Sequence, residues 1–211
     1  MPTYNATVFE VGTLKAAQEI ILTAEGDSST GNRWVAETPY LMQKLKAATD
    51  GIWPRLFLDF GCGVGRLSRE IVREEGCAAI GVDASVSMRK MAAEYVASSA
   101  FTACGPLGLD RMVVGGLRYD VALSVWVLQH CLDPAAELDR IGAGLRSGGL
   151  FFIVDMHHRA VPTDQGWLDD GQSIRSLADA RFVPLSIERF AAPDAPANLL
   201  ESGWIGVYRK P

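Results

Sequence analysis

The sequence predicts an α/β domain: a parallel sheet covered by helices on both faces and closed by an antiparallel pair of strands. Three observations carry this expectation. From residue 55 onward, short apolar runs alternate with amphipathic segments of helical period, in the order strand, helix, strand, helix, strand. Those runs are apolar along their whole length, so each strand buries both faces, as strands joined by crossover helices do. The tail breaks the alternation with two further strand-like runs.

Composition bounds the rest. A chain of 211 residues with 48% hydrophobic and 21% charged side chains fits one globular domain, or a domain with a small extension. No apolar run approaches the ~20 residues of a membrane helix, and the opening MPTYNATVFE lacks a secretory profile, so a soluble cytoplasmic protein without a membrane partner is expected. Lys and Arg number 20 against 25 Asp and Glu, and the net charge of −5 argues against a nucleic-acid partner. Cys62, Cys77, Cys104 and Cys131 are too scattered for a CxxC pair, so reduced thiols and no metal are expected.

Asp50-Gly51 and Pro54 divide the chain into a helical extension, residues 1–52, and a core, residues 53–211. In the extension, one helix is expected near Thr13 to Ala24. A second is entered through Thr38 as N-cap and Pro39 as first helical residue, with a polar loop from Glu25 to Asn32 before it. In the core, Arg55 to Phe60 is the first strand, Gly65 to Glu75 a helix, and Ala78 to Asp83 the second strand. Ser85 to Ala97 sets Met88, Met91, Ala92, Tyr95 and Val96 on one helical face, which reads as core packing. Tyr119 to Trp126 and Gly149 to Asp155 are strands, separated by a helix capped by Asp133-Pro134. A helix around Gln172 to Ala180 precedes strands Phe182 to Phe190 and Gly203 to Tyr208. With only a polar loop between them, these two are expected to pair antiparallel.

Open parallel sheets bind ligands beyond the carboxyl ends of their strands, so the turn leaving the first strand is the place to look for a site. It reads Asp59-Phe60-Gly61-Cys62-Gly63-Val64-Gly65, a bare backbone whose N–H groups face a ligand at the start of the next helix. Asp83 ends the second strand 22 residues after Gly61, where an acid can accept hydrogen bonds from both hydroxyls of a ribose. Dinucleotide enzymes place glycine at the sixth loop position, whereas this chain has Arg66. Asp59 would repel a pyrophosphate yet suits an ammonium group. The combination favours a cationic, phosphate-free nucleoside such as S-adenosylmethionine.

With the run Leu58 to Leu67, LDFGCGVGRL, the chain resembles the small bacterial class I S-adenosylmethionine-dependent methyltransferases. The resemblance extends through Gly81-Val82-Asp83-Ala84-Ser85, the fourth-strand run Tyr119 to Ser124, and the turn Leu145 to Leu150, covering about residues 55 to 155. It implies a Rossmann-like three-layer sandwich, with a seven-stranded, mostly parallel sheet and an antiparallel last strand. It also implies that the extension caps the cofactor site. Carried over position by position, Asp59, Gly61, Gly63 and Gly65 border the methionine part of the cofactor, Asp83 holds the ribose, and Ala84 and Met88 touch the adenine. Ser124 and Val125 line the side from which the methyl group leaves. Arg33 and Trp34 are candidates for the cofactor's carboxylate and sulfonium, the alternative being a helix face docked on the sheet. One departure stands out: where the family often has an adenine-binding acid after the third strand, this chain reads Ala103-Cys104-Gly105-Pro106-Leu107.

Methyl transfer to oxygen or nitrogen usually requires a proton to be removed, for which histidine is well matched near neutral pH. His130, His157 and His158 all follow the expected ends of the fourth and fifth strands. His130 is a base or an orienting group. His157 and His158 are bases, contacts for an acceptor carboxylate, or part of a solvated turn. The segment Ser124-Val125-Trp126-Val127 lacks the Pro-Pro-aromatic turn of enzymes that methylate nucleic-acid bases. The amino-terminal helices and the loop from Met156 to Asp170, with Trp167, are then expected to form the acceptor pocket, which suggests a small-molecule acceptor; a monomer or homodimer is expected. The rival readings are a cofactor-binding module without catalysis and an NAD(P)-dependent oxidoreductase.

Overall fold

The computed structural model describes residues 2–52, 54–74 and 76–211. The expected boundary at Trp53 and the expected helix end at Glu75 lie outside the described residues. An N-terminal arm with a 3-10 turn, Ala6–Phe9, leads to helix α1, Leu14–Ile21, whose first turn is capped by Thr13 Oγ1 accepting from Ala16 N at 3.2 Å. Helix α2 spans Thr30–Ala48, with Ser29 as N-cap accepting from Asn32 N at 3.1 Å. The helix start expected at Thr38-Pro39 is therefore wrong, and the expected loop is shorter. Thr38 Oγ1 donates instead to Trp34 O at 2.6 Å, four residues back, and Pro39 lies inside the helix. The carbonyl that Pro39 cannot bond belongs to Val35, which is 76% exposed, so solvent can satisfy it.

The core runs β1 Leu56–Phe60, α3 Arg66–Ile71, β2 Ala78–Val82, α4 Val86–Val96, β3 Phe101–Cys104, α5 Pro106–Val114, β4 Tyr119–Val125, α6 Pro134–Gly144 and β5 Leu145–Met156. A short hairpin follows, β6 Val161–Thr163 and β7 Gly166–Leu168. Then come α7 Ile174–Asp179, β8 Val183–Arg189, α8 Ala197–Ser202 and β9 Gly203–Arg209. Seven strands form one sheet in the order β3-β2-β1-β4-β5-β9-β8, in which β9 pairs antiparallel with both neighbours and the other pairs are parallel. This is the seven-stranded, mostly parallel Rossmann-like sheet that the resemblance implies, with its last strand antiparallel.

The antiparallel pairing of β8 and β9 holds although a helix, α8, stands where an uninterrupted polar loop was expected. Helix α8 is only six residues long and runs directly into β9, whose register with β8 is antiparallel from Val183↔Arg209 to Arg189↔Trp204.

Alternate strand residues face opposite layers. Leu58, Phe60, Ile80 and Ile153 pack with Leu109 of α5, Leu138 and Ile141 of α6, and Ile174 of α7. Phe57, Leu123, Phe152 and Val154 pack with Leu41 and Leu45 of α2 and Leu67 and Ile71 of α3. Burying both strand faces explains the unbroken apolar runs, each fully buried Leu, Ile or Phe contributing about 1.5–3 kcal/mol. Ala17 of α1 and Met88 of α4 close on Val64 in a third cluster, which seats the extension beside the glycine turn. No helix among the described residues is long and apolar enough to cross a membrane.

Candidate active site

The strand order reverses between β1 and β4, and there, at the carboxyl ends of the strands, the structure holds a cavity of about 600 Å³. That volume is within the range of small-molecule and cofactor sites. Gly61 and Gly63 line it, tied to the tip of β2 by Gly61 N and Cys62 N, which donate to Val82 O at 2.7 and 3.0 Å. Gly61 has φ +75°, and a Cβ there would overlap the side chain of Val127. Gly63 has φ +53°, and its Cβ would come within 2.6 Å of Ile21 Cδ1 at the end of α1. Side chains at either position would fill the cradle that the bare backbone leaves open.

Asp83 also lines the cavity, accepting from Gly63 N and Ser85 N, each at 2.9 Å. Burial raises its pKa, while these two bonds pull it down. Two donors leave lone pairs free on each oxygen for ribose hydroxyls. Ala84, Met88, Val125 and His130 line the same cavity. The Ala103–Leu107 segment contributes Pro106.

Arg33 reaches the cavity from α2, although only 4% exposed. It donates through Nη1 to Thr23 O at 2.9 Å and through Nη2 to Glu37 Oε2 at 3.0 Å, while its Nε has no partner. Glu37, 1% exposed, is the hub of this region, because its Oε1 accepts from Arg66 Nη2 at 3.1 Å and Trp126 Nε1 at 2.9 Å. One carboxylate thus joins α2 to the residue after the glycine turn and to the residue after β4. Trp126 itself sits at φ +60°, a left-handed backbone rare for a bulky residue.

The remaining candidates lie elsewhere. Trp34 packs edge-on against Tyr95, at 6.2 Å, and beneath the Arg66 guanidinium, at 5.5 Å, and is not part of the lining. Asp59 is buried behind the glycine turn, accepting from Ser68 Oγ at 2.6 Å, and burial pushes its pKa up to about 6. Gly65 begins α3 in left-handed conformation, and Ser124 is buried within β4 with an unpartnered Oγ. His157 and His158 are exposed outside the lining, with His158 Nδ1 3.5 Å from Asp169 Oδ2.

Of the three histidines, His130 is the one that lines the cavity. Its Nδ1 lies 2.6 Å from Ala160 O, which can only accept, so Nδ1 carries the proton. Nε2 then accepts from Gln129 Nε2 at 3.0 Å. Burial lowers its pKa and keeps the ring neutral near pH 7. Phe9 and Trp167 flank the ring, at centroid distances of 5.7 and 5.4 Å.

Residues 38–189 match the family described as a methyltransferase domain. The chain belongs to the class I S-adenosylmethionine-dependent methyltransferases. Among curated relatives of this methyltransferase is the ubiquinone biosynthesis O-methyltransferase of Parvibaculum lavamentivorans, 35% identical over 108 residues, which cover 48% of this chain and 40% of the relative. A second, from a Methylobacterium species, is 27% identical over 160 residues and covers 71% of this chain and 59% of the relative. The matched part of the chain thus spans about two-fifths to three-fifths of those relatives' length. Among solved structures, the N-methyltransferase NodS of Bradyrhizobium japonicum in complex with S-adenosylhomocysteine superposes with a TM-score of 0.62 at 12% identity, covering 83% of this chain and 87% of that one. That likeness is one of fold.

The sequence missed Glu37 because it placed the helix start nine residues too late. Once α2 begins at Thr30, Arg33 and Glu37 are an i, i+4 pair on one face, the spacing at which opposite charges meet.

Proposed function

We propose that this methyltransferase moves a methyl group from S-adenosylmethionine to an oxygen or nitrogen of a small molecule by in-line displacement. The observation that carries this reading is the meeting, in one cavity, of the Gly61–Gly63 backbone, the Asp83 carboxylate and the Arg33 guanidinium. The cradle, acid and cation fit the bare, hydroxylated and anionic parts of that cofactor. In this reading Asp83 holds the ribose, Ala84 and Met88 border the adenine, and Arg33 faces the carboxylate of the methionine part.

When bound, the cofactor supplies an electrophilic methyl group on a sulfonium. The chain's own residues align the acceptor and exclude water. The acceptor lies over the ends of β4 and β5 and the segment before β9, where Trp126, Met156, Asn198 and Leu199 line the cavity. His130 serves as the proton acceptor at Nε2, the atom that now accepts from Gln129. His157 and His158 bind neither cofactor nor acceptor.

The curated relatives include O-methyltransferases of ubiquinone biosynthesis, which supports oxygen as the atom methylated. A thermal-shift series with S-adenosylmethionine and S-adenosylhomocysteine tests the reading. Either ligand at 100 times its Kd adds about 2.7 kcal/mol, a rise of roughly 5–10 °C for a chain of this size. Absence of any rise with both would sink it.

A further inference from the structure

The charges around the cavity point to the chemical class of the acceptor. Among the described residues that line it, Arg33 is the one cation, against the carboxylates of Glu25, Asp83, Asp133 and Glu137. Arg33 is already committed to Glu37 and Thr23, and on the reading above its remaining reach serves the cofactor. His130 adds no positive charge near neutrality, because burial lowers its pKa.

The four carboxylates have different commitments. Asp83 accepts from the glycine turn and Ser85, Asp133 caps α6 through Ala136 N, and Glu137 pairs with Arg140. Glu25 is solvent-exposed and has no ion pair among the described residues, so its charge acts through partial solvent screening. It stands in a turn closed by reciprocal bonds with Ser28, each 3.0 Å, and Ser28 Oγ fastens that turn to Asp194 O at 2.5 Å. Much of the remaining surface is apolar, including Phe9, Trp126, Leu132, Met156 and Leu199.

A carboxylate or phosphate entering this space would give up part of its water and meet an excess of negative charge, half-buried at Asp83 and solvent-screened at Glu25 and Asp133, in place of a partner. A hydroxyl or an amine would lose less, and an amine would gain the Glu25 carboxylate as a counter-charge. We propose that the methyl acceptor carries no carboxylate or phosphate: it is an uncharged or amine-bearing compound with an apolar body, and Glu25 is the residue that favours the amine. The proposal rests on the methyltransferase reading above.

The experiment divides a small-molecule extract of the cells that make the protein on an anion exchanger at pH 7, giving a retained acidic pool and an unretained pool. Each pool is offered to the full chain in two ways. Protein loaded with S-adenosylhomocysteine is ultrafiltered, and the compounds it keeps are identified by mass spectrometry. Protein with methyl-labelled S-adenosylmethionine is assayed for label transfer. The unretained pool is expected to supply both the kept compounds and the label, at least tenfold over the acidic pool. Glu25→Gln is expected to cut retention of amines at least threefold while leaving uncharged compounds unchanged. Retention or label equal or greater in the acidic pool overturns the proposal, as does the absence of both from the unretained pool. A separate titration with S-adenosylhomocysteine distinguishes the two failures: binding without any acceptor removes the acceptor class alone, and no binding removes the methyltransferase reading with it. Amine retention unchanged in Glu25→Gln overturns the role of Glu25.

Discussion

The indole N–H of Trp126 donates to the buried carboxylate of Glu37 across 2.9 Å, joining the end of β4 to helix α2 from 89 residues away. The same carboxylate holds Arg33 and Arg66. The amino-terminal extension is thereby bolted to the sheet at the rim of the cavity by charge-assisted bonds, rather than by apolar packing alone.

Replacing Glu37 with Leu leaves two buried guanidinium groups without their carboxylate, and breaking a buried ion pair from one side costs about 3–5 kcal/mol. Trp126→Phe removes one donor to the carboxylate while leaving both ion pairs, and is expected to cost about 1.5–3 kcal/mol. Urea unfolding of the two variants beside the parent measures both. Equal losses would show that the cluster does not carry the charge coupling described.

Asp83→Ala is expected to raise the Kd for S-adenosylmethionine at least tenfold, about 1.4 kcal/mol, with His157→Ala and His158→Ala within roughly twofold of the parent. Isothermal titration provides the comparison. A parent-like Kd in the Asp83 variant would refute the ribose assignment.

The arm is pinned at two points. Glu10 accepts from Val86 N at 2.9 Å and Ser87 N at 3.2 Å at the start of α4, and hydrogen bonding by the Ser87 side chain, then by these two backbone groups, holds its pKa low. Asn5 N donates to Pro162 O and Asp164 N to Thr3 O, both at 2.9 Å, which fixes the arm to the β6–β7 hairpin. Since Tyr4, Ala6 and Phe9 line the cavity, Glu10→Ala should loosen one end of its cover and speed release of S-adenosylhomocysteine several-fold. Stopped-flow displacement measures this, and an unchanged release rate would show that the arm does not gate the cavity.

Burial pushes the Asp155 carboxyl up to about 7, against backbone bonds from Met156 and Gln129 that pull it down. The folded protein therefore keeps a proton that the unfolded chain releases near pH 4. For this group, stability declines as pH rises from about 4 to about 7 and levels off above, by an amount on the order of a few kcal/mol. Asp155→Asn removes that slope. Denaturant midpoints for parent and variant at pH 5 and pH 8 give the difference, and a variant that loses as much as the parent would contradict the shift.

The sequence by itself determined the alternation of strands and helices, the glycine turn and the acid at the tip of β2. Each of these is written locally, in apolar runs of strand length, in glycines at positive φ, and in one carboxylate at a fixed spacing. Thr38-Pro39 misled because a helix interior and a helix start can share that dipeptide, the difference lying in whether residue 35 faces solvent. The β6–β7 hairpin left little signal, since β7 is exposed along its length and has no buried face to pattern. Only the tertiary structure decided which groups share the cavity. Tyr4, Glu25, Arg33, His130, Met156 and Asn198 come from six separate segments, and the two neighbouring histidines that looked alike in sequence lie outside its lining. Proximity of that kind arises from the packing of extension, sheet and loops, and no residue's own neighbours along the chain encode it.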